Sequence, residues 1–457
     1  MPAIITDRFK KEILTSLQAD IADSANNYYV TVGRPIDWNV TDEAPIPTNT
    51  ERTIRDAQTN MTAVKNVEAN SFVVPRYTWS LGATYNGYND NIAGHPSNSF
   101  YVITDENQVY VCLEGGKNAV GQSVTSTVKP SGTLTTAFET ADGYRWKFLY
   151  SVGALRSSRF LSANYIPVTK FAAFDSDDAA DHVEQVGIQN AARPGAVIGY
   201  EVLNGGSGYV TVPTITVYGN GISLPARGAA TIDGGAVTVV RAADSDGGFA
   251  HGRGYTYSHA EVTGGGGTGA KVRTIMGPVK GFGADPRDDL KASAIMFTAK
   301  PDGDEGSNWT IGNDFRQVML VKNILQPDSD ANFVGATGNA LKRMEFSVIT
   351  AGFTVDNTML GGTSGAQAYV VRADSDTVWY IQDSDTQFRA FAEGEVISEV
   401  SGSGAGVLEA VGTDSDSLAF VKGDVDLNTG EVMYIDNRAA IQRSADQTED
   451  IKIIIQL

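Results

Sequence analysis

Along most of this chain, apolar and polar residues alternate with a period of two, and Gly-, Pro- and Asp/Ser-rich turns interrupt the runs. That pattern predicts half-buried strands over most of the length. The expected strands include Tyr28 to Arg34, closed by Pro35 and Trp38, then Phe72 to Arg76, Phe100 to Ile103 and Val109 to Leu113. The run Tyr144 to Tyr150 alternates most clearly, with Tyr144, Trp146, Phe148 and Tyr150 on one face, after an Asp142-Gly143 turn signal. Two stretches carry helical spacing instead. Thr6 can cap a helix whose stripe is Phe9, Ile13, Leu17 and Ile21, widened by Leu14. Thr48-Asn-Thr-Glu51 has capping-box spacing before Ile54, Ala57, Met61 and Val64. The C-terminus reads as two strands around a polar connection, with Val432 and Tyr434 in the first and Ile451, Ile453, Ile455 and Leu457 in the second. A chain that ends in so β-prone a run is expected to tie its terminus into a sheet.

Glycine sharpens this picture. Of 49 glycines, 22 lie between Gly195 and Gly283. There, Gly206-Ser-Gly-Tyr209 through Gly221 is echoed by Gly252-Arg-Gly-Tyr255 through Gly267, so that Tyr209/Tyr255 and Gly221/Gly267 are each 46 residues apart. Each unit reads as short strands divided by glycine turns. A second echo places the Ser-Gly-Ala cores at Ser364 and Ser403, 39 residues apart, in hairpin-like material. Gly264-Gly-Gly-Gly-Thr-Gly269 matches a GxGxxG string, but a strand pattern follows it where a dinucleotide site needs a helix. These glycines are read as a hairpin connection.

Charge narrows the classes of function. The net charge is −19, and no basic cluster interrupts it, which disfavours nucleic acid and anionic membrane surfaces as partners. Charged residues make up 19% of the chain, which argues against helical bundles. The single cysteine, Cys112, sits in an apolar run and is expected to be a buried strand residue of a protein folded in a reducing compartment. The N-terminal residues lack a signal-peptide pattern, and no run of about 18 apolar residues occurs. Neither general export nor a membrane span is expected.

Candidate chemistry is sparse. Six Asp-Ser-Asp triplets begin at Asp175, Asp244, Asp328, Asp374, Asp383 and Asp414. None supplies the full ligand set of an EF-hand loop, and the triplets read as Asx-type turns. His251 and His259, eight apart, do not have common zinc spacing, and no nucleophile elbow or HExxH is present. No metal and no cofactor is therefore expected. Arg34, Arg76, Arg316 and Arg438 stand singly beside apolar or aromatic residues. Each is either a salt-bridged strand-end residue or a planar donor that pins a loop or a partner chain.

The ordered series of motifs resembles the wedge subunit of the baseplate of T-even-like contractile-tailed bacteriophages. The motifs are Ile5-Thr-Asp-Arg-Phe9, Tyr29-Val-Thr-Val-Gly-Arg34 with Trp38, and Val74-Pro-Arg76 with Trp79, Tyr85 and Tyr88. They continue through Tyr110-x-Cys112-Leu113, Asp142-Gly-Tyr-x-Trp146, Asn164-Tyr-Ile-Pro167, Phe315-Arg-Gln317 and Asn323. The series ends in Gly430-Glu-Val-x-Tyr434 with Asn437-Arg438, then Gln447 and the terminal isoleucines. The glycine-rich stretches depart from the shorter T-even form and look like insertions.

The resemblance implies a non-enzymatic, mainly β (α+β) protein of several β layers. Its discontinuous core domain would be 1–75, 277–350 and 418–457. A β domain at 76–195 and Gly-rich insertions at 196–276 and 351–417 would interrupt that core. It further implies a dimer that contacts other wedge proteins in the virion baseplate, assembled in the host cytoplasm, without nucleic acid, membrane or small-molecule substrate. Arg34, Trp38, Arg76, Trp79, Arg316, Asn437, Arg438 and Gln447 are then scaffold or interface candidates. A receptor- or glycan-binding tail protein is the alternative, motivated by the Gly/Tyr repeats. A carbohydrate-degrading enzyme ranks below both, because adjacent acids on a strand point to opposite faces.

Overall fold

The structure, a computed structural model, describes residues 3–172, 179–221, 225–243, 249–309, 311–410, 419–444 and 446–457. It is a mainly β, α+β fold of several sheets, whose strands pair antiparallel in the registers below, with five helices among the described residues. Two compact units divide the chain, one of residues 1–14, 71–296 and 455–457, the other of 15–70 and 297–454.

The second unit is built on a five-stranded sheet in the order Thr337–Asn339, Met61–Asn66, Tyr28–Gly33, Asp314–Lys322, Glu431–Gln442. The central strand Tyr28–Gly33 is buried along its whole length. Tyr29, Met61, Val64, Met319 and Val321 form the apolar core against this sheet. The helix beside it, Glu51–Thr59, starts at Thr50, whose side chain accepts from the Thr53 amide. The expected capping box at Thr48 is thus displaced by two residues. Met61 and Val64, expected on the helix, lie in the strand Met61–Asn66, because Asn60 caps the helix and Met61 pairs with Gly33.

The same unit holds a closed barrel. Six strands follow one another around it: Thr377–Ile381, Gln367–Ala373, Thr358–Gly361, Val396–Glu399, Ala405–Leu408 and Lys342–Ala351. The last pairs back onto the first, with Met344 opposite Val378, so the ring has no open edge. Met344, Phe346, Met359, Val370, Tyr380, Ile397 and Leu408 fill the interior. Both Ser-Gly-Ala echoes are hairpin loops of this barrel. A buried carboxylate ties each loop down. Glu395 accepts from the Thr363, Ser364 and Ala392 amides and from the Ser364 hydroxyl, at 2.7 to 2.9 Å. Glu399 accepts from the Thr354 and Gly404 amides.

In the first unit, Tyr101–Ile103, Gln108–Glu114, Arg145–Ser151 and Phe138–Glu139 form a sheet in that order, and Ala69–Pro75 pairs with Tyr165–Val168. The aromatic face of Arg145–Ser151 is buried as expected, with Tyr144 stacked on Trp146 at 5.7 Å. Its opposite face is buried as well, taking Arg145 and Lys147 out of solvent. Cys112 is fully buried on the neighbouring strand. The helices Ala154–Phe160 and Ala180–Asn190 carry too short a pattern to have been read from periodicity.

The 46-residue echo has a structural counterpart in this unit. The paired glycines before each tyrosine adopt matching left-handed conformations, φ 64° and 77° at Gly206 and Gly208, φ 60° and 79° at Gly252 and Gly254. Only glycine adopts these without cost. The strand Thr214–Gly219 pairs with Ser258–Thr263 so that Ile215 faces Val262 and Thr216 faces Glu261. The repeat positions cross over (262 − 216 = 46 and 261 − 215 = 46), which relates the two copies by a local two-fold axis. Gly264 to Gly269 is a passage between two sheets rather than a hairpin, since Ser258–Thr263 and Thr268–Met276 pair with different strands.

One further expectation is corrected. The helix Asp7–Ala22 forms, and Thr6 accepts from the Phe9 amide, but its buried residues are Lys11 and Leu14. Phe9 and Ile13 are exposed. Lys11 is drawn in by Asp285 and Asp288, an ion pairing that apolar periodicity cannot register. The two C-terminal strands are each tied into a sheet, as expected. Glu431–Gln442 completes the five-stranded sheet, whereas Ile451–Gln456 belongs to a different one.

Candidate functional site

Three separated segments of the second unit meet in one row across the five-stranded sheet. Gly33 is the register partner of Gln317, and Gln317 is the partner of Asn437. Arg34 and Arg438 follow the outer two members of that row. The pairing of Asp314–Lys322 with Glu431–Gln442 shifts between Phe315 and Gln317, so Arg316 occupies a β-bulge, a device that re-aims a side chain. Arg34 has φ 55°, an uncommon left-handed turn for a non-glycine residue, and it ends the strand ahead of Pro35.

Arg316 is the hub. Its guanidinium is 5% exposed and bonds both carboxylate oxygens of Asp42 at 2.8 and 3.0 Å. It also donates to the Pro35 carbonyl at 2.5 Å, to Asp37 at 2.6 Å and to Asp314 at 3.1 Å. Every face of the planar fork is therefore used, which a lysine could not reproduce. Burial works to lower the Arg316 pKa, but the Asp42 hydrogen bond and the charges of Asp42, Asp37 and Asp314 together outweigh it and hold the group above its ordinary value. The same hydrogen bond from Arg316 pulls Asp42 below the usual carboxylate range.

The other candidates of this unit gather on the hub. The Trp38 indole donates to the Arg438 carbonyl at 2.9 Å, and the Arg34 guanidinium lies 4.4 Å from the centre of the Trp38 ring. Gln317 donates to Asn437 at 2.8 Å, and Asn437 donates to the Pro45 carbonyl at 2.9 Å. Arg438 pairs with Asp436. A cavity of about 280 Å³ opens here, with Arg34, Trp38, Ile46, Asn60, Gln317 and Asn437 in its lining. Val40 and Ile46 project into solvent beside these residues. Chemically, the arrangement fixes loops and presents apolar and amide groups.

The remaining candidates lie elsewhere. Gln447, also in the second unit, donates to Glu449 at 2.9 Å. In the first unit, Arg76 donates to the Ser162 carbonyl at 2.9 Å, and Trp79 donates to the Ser126 hydroxyl at 3.1 Å. Both hold backbone or core positions. Of the Asp-Ser-Asp triplets, those at Asp175, Asp244 and Asp414 lie outside the described residues. At Asp383 the carboxylate accepts from the Asp385 and Thr386 amides, an Asx turn. At Asp374 the triplet turns between two barrel strands, the Asp374 amide donating to Thr377 O.

Sequence reasoning also missed buried cations beyond Lys11. Arg443 is 1% exposed, pairs with Glu449 at 2.9 Å and lies 5.1 Å from the Trp309 ring. Its signal was an arginine inside the polar connection of the terminal block. Lys147, on the second buried face of Arg145–Ser151, is 8% exposed. Its neighbour Arg145 pairs with Glu114 and Glu139, at 2.7 and 2.8 Å.

Among the described residues no helix is long and apolar enough to cross a membrane. No protein-family model matches the chain, and no curated protein matches it in sequence.

Proposed function

We propose that this chain is a structural subunit of a phage tail baseplate wedge, which dimerises and contacts other wedge proteins in the virion. The observation that carries this reading is the convergence around Arg316. Gly33-Arg34 with Trp38, Phe315-Arg316-Gln317 and Asn437-Arg438 belong to the motif series of the resemblance, and these three segments meet in one network. A rigid, fully satisfied guanidinium with exposed Val40 and Ile46 beside it suits an assembly surface better than a reacting centre.

In this role the subunit helps lock the baseplate before contraction and follows the rearrangement that contraction brings. It needs no cofactor and turns over no substrate. A cryo-electron microscopy map of the parent particle tests the proposal, and the expected result is density for this chain in the baseplate wedges. Density in the head or the tail tube, with none in the baseplate, overturns it. Light scattering on the isolated chain is expected to give a dimer, and a strict 48.5 kDa monomer at micromolar concentration contradicts that part.

A further inference from the structure

A cavity of about 450 Å³ lies in the first unit, within the size range of small-molecule sites. Its walls are largely apolar, with Leu113, Ile198, Phe249 and Phe282 among them, and the polar side chains in the lining include Lys147, Arg193 and His251. No aspartate or glutamate occurs among the described lining residues, although the chain carries 54 acids against 35 lysines and arginines. In so acidic a protein, an apolar cavity with basic groups and no acid is a local reversal of the field.

The placement of Lys147 makes this more than a patch. It stands on the inner face of Arg145–Ser151, paired in register with Val111, and its ammonium donates to the Thr135 carbonyl at 2.6 Å. An ammonium has three donors, and no carboxylate lies within ion-pair distance of it among the described residues. The acid whose charge acts on it, Asp289, is fully buried, and burial pushes its carboxyl well above the usual range toward the neutral form. Asp289 already accepts from the Gly283 amide at 2.7 Å. His251 closes another side. Its Nδ1 donates to the Val197 carbonyl at 3.0 Å, and Nε2 has no partner. Arg193 is exposed on the lining. A buried cation without a counter-ion carries a desolvation penalty that a bound anion would offset.

We propose that this cavity binds a small organic carboxylate with an apolar body, the carboxylate meeting Lys147 and Arg193 and the body resting against Phe249, Phe282 and Ile198. The site is independent of the baseplate reading and involves no turnover. Lys147 supplies a pH signature. Burial lowers its pKa to about 8, with Asp289 opposing that shift and Arg193 adding to it. Carboxylate affinity should therefore weaken as pH rises through 8. His251, lowered to about 4 by burial with Arg145, Arg193 and Lys147 adding to the effect, stays neutral throughout that range.

The test is calorimetric titration of the full chain with benzoate, phenylacetate and hexanoate, each beside its neutral amide, at pH 7 and pH 10. The carboxylates are expected to bind at least tenfold more tightly than the amides at pH 7, and to lose most of that advantage at pH 10, where Arg193 alone stays charged. Lys147→Met should remove most of the difference and leave the severalfold part that Arg193 supplies, its fold checked by circular dichroism. Arg193→Gln, at an exposed position, should weaken the carboxylates severalfold and leave the amides unchanged. Equal affinity of acids and amides, or no saturable binding by any of the six compounds, overturns the proposal.

Discussion

The phenol end of the Tyr255 ring lies against Gly221, so closely that a Cβ at residue 221 would stand 2.3 to 2.6 Å from three of its carbons. Tyr209 bears on Gly267 as closely, through its Cγ–Cδ2 edge and its amide nitrogen, and Gly267 is the echo of Gly221 (221 + 46 = 267). Each copy of the glycine-rich repeat thus seats its tyrosine on the glycine of the other. Gly221→Ala and Gly267→Ala are each expected to cost about 1–3 kcal/mol by overpacking. Their effects should resemble one another if the two-fold relation is real. Urea melts of the two variants measure this, and a neutral result at one position with a large loss at the other would break the symmetry argument.

Arg316 should resist its usual conservative replacement. Arg316→Lys keeps the charge but cannot serve Asp37, Asp42, Asp314 and the Pro35 carbonyl together. Arg316→Ala removes these hydrogen bonds, though Asp42 keeps the Trp38 amide and the acids reach solvent, and is expected to cost about 1–3 kcal/mol. The lysine variant should recover less than half of that. Paired denaturation curves decide the matter, and a lysine variant as stable as the parent would refute the argument from the planar fork.

The barrel should weaken in acid through Glu395 and Glu399. Burial alone would raise both pKa values, but the amide hydrogen bonds outweigh it and hold both below the ordinary glutamate value. A depressed folded pKa means that the stabilisation is present above the unfolded value and is lost as pH falls through the folded one. Glu395→Gln should cost about 1–3 kcal/mol at neutral pH, because its amide nitrogen faces amide donors. The gap between variant and parent should narrow below pH 4, as followed by near-ultraviolet circular dichroism.

His251 acts in a different window. Its folded pKa, about 4, lies below the unfolded value near 6.5, so the unfolded chain binds the extra proton between these limits. Stability should therefore fall as pH drops from 6.5 to 4 in the parent. His251→Asn should flatten that slope whatever it does to stability at pH 7. An unchanged slope between pH 6.5 and 4.5 in chemical denaturation would exclude His251 as its source.

Much of the architecture was legible in the residues. Strand periods placed Tyr28 to Gly33, Val109 to Leu113 and Tyr144 to Tyr150 correctly, because side chains alternate across a buried sheet whatever its partners. Pairing partners were not legible. Nothing local to Glu431–Gln442 specifies Asp314–Lys322 rather than Ile451–Gln456, since register is chosen by tertiary packing. The same limit hid Lys11 and Lys147, which read as solvent positions until distant elements cover them. For the candidate site, five of the eight residues singled out in sequence converge at Arg316, and the acids that hold it came only with the fold.

The closed barrel has a topological consequence for how this protein can change over evolutionary time. Its first strand, Lys342–Ala351, takes Arg343 and Met344 into register with Val421 and Phe420, just where the chain departs. Entry and exit are thus neighbours on adjacent strands, and the ring between them completes its own hydrogen bonding. Such a piece behaves as a cassette. It can be excised and replaced by a short turn, or exchanged for an unrelated fold with the same end-to-end distance, while the sheet that carries Arg316 stays in place.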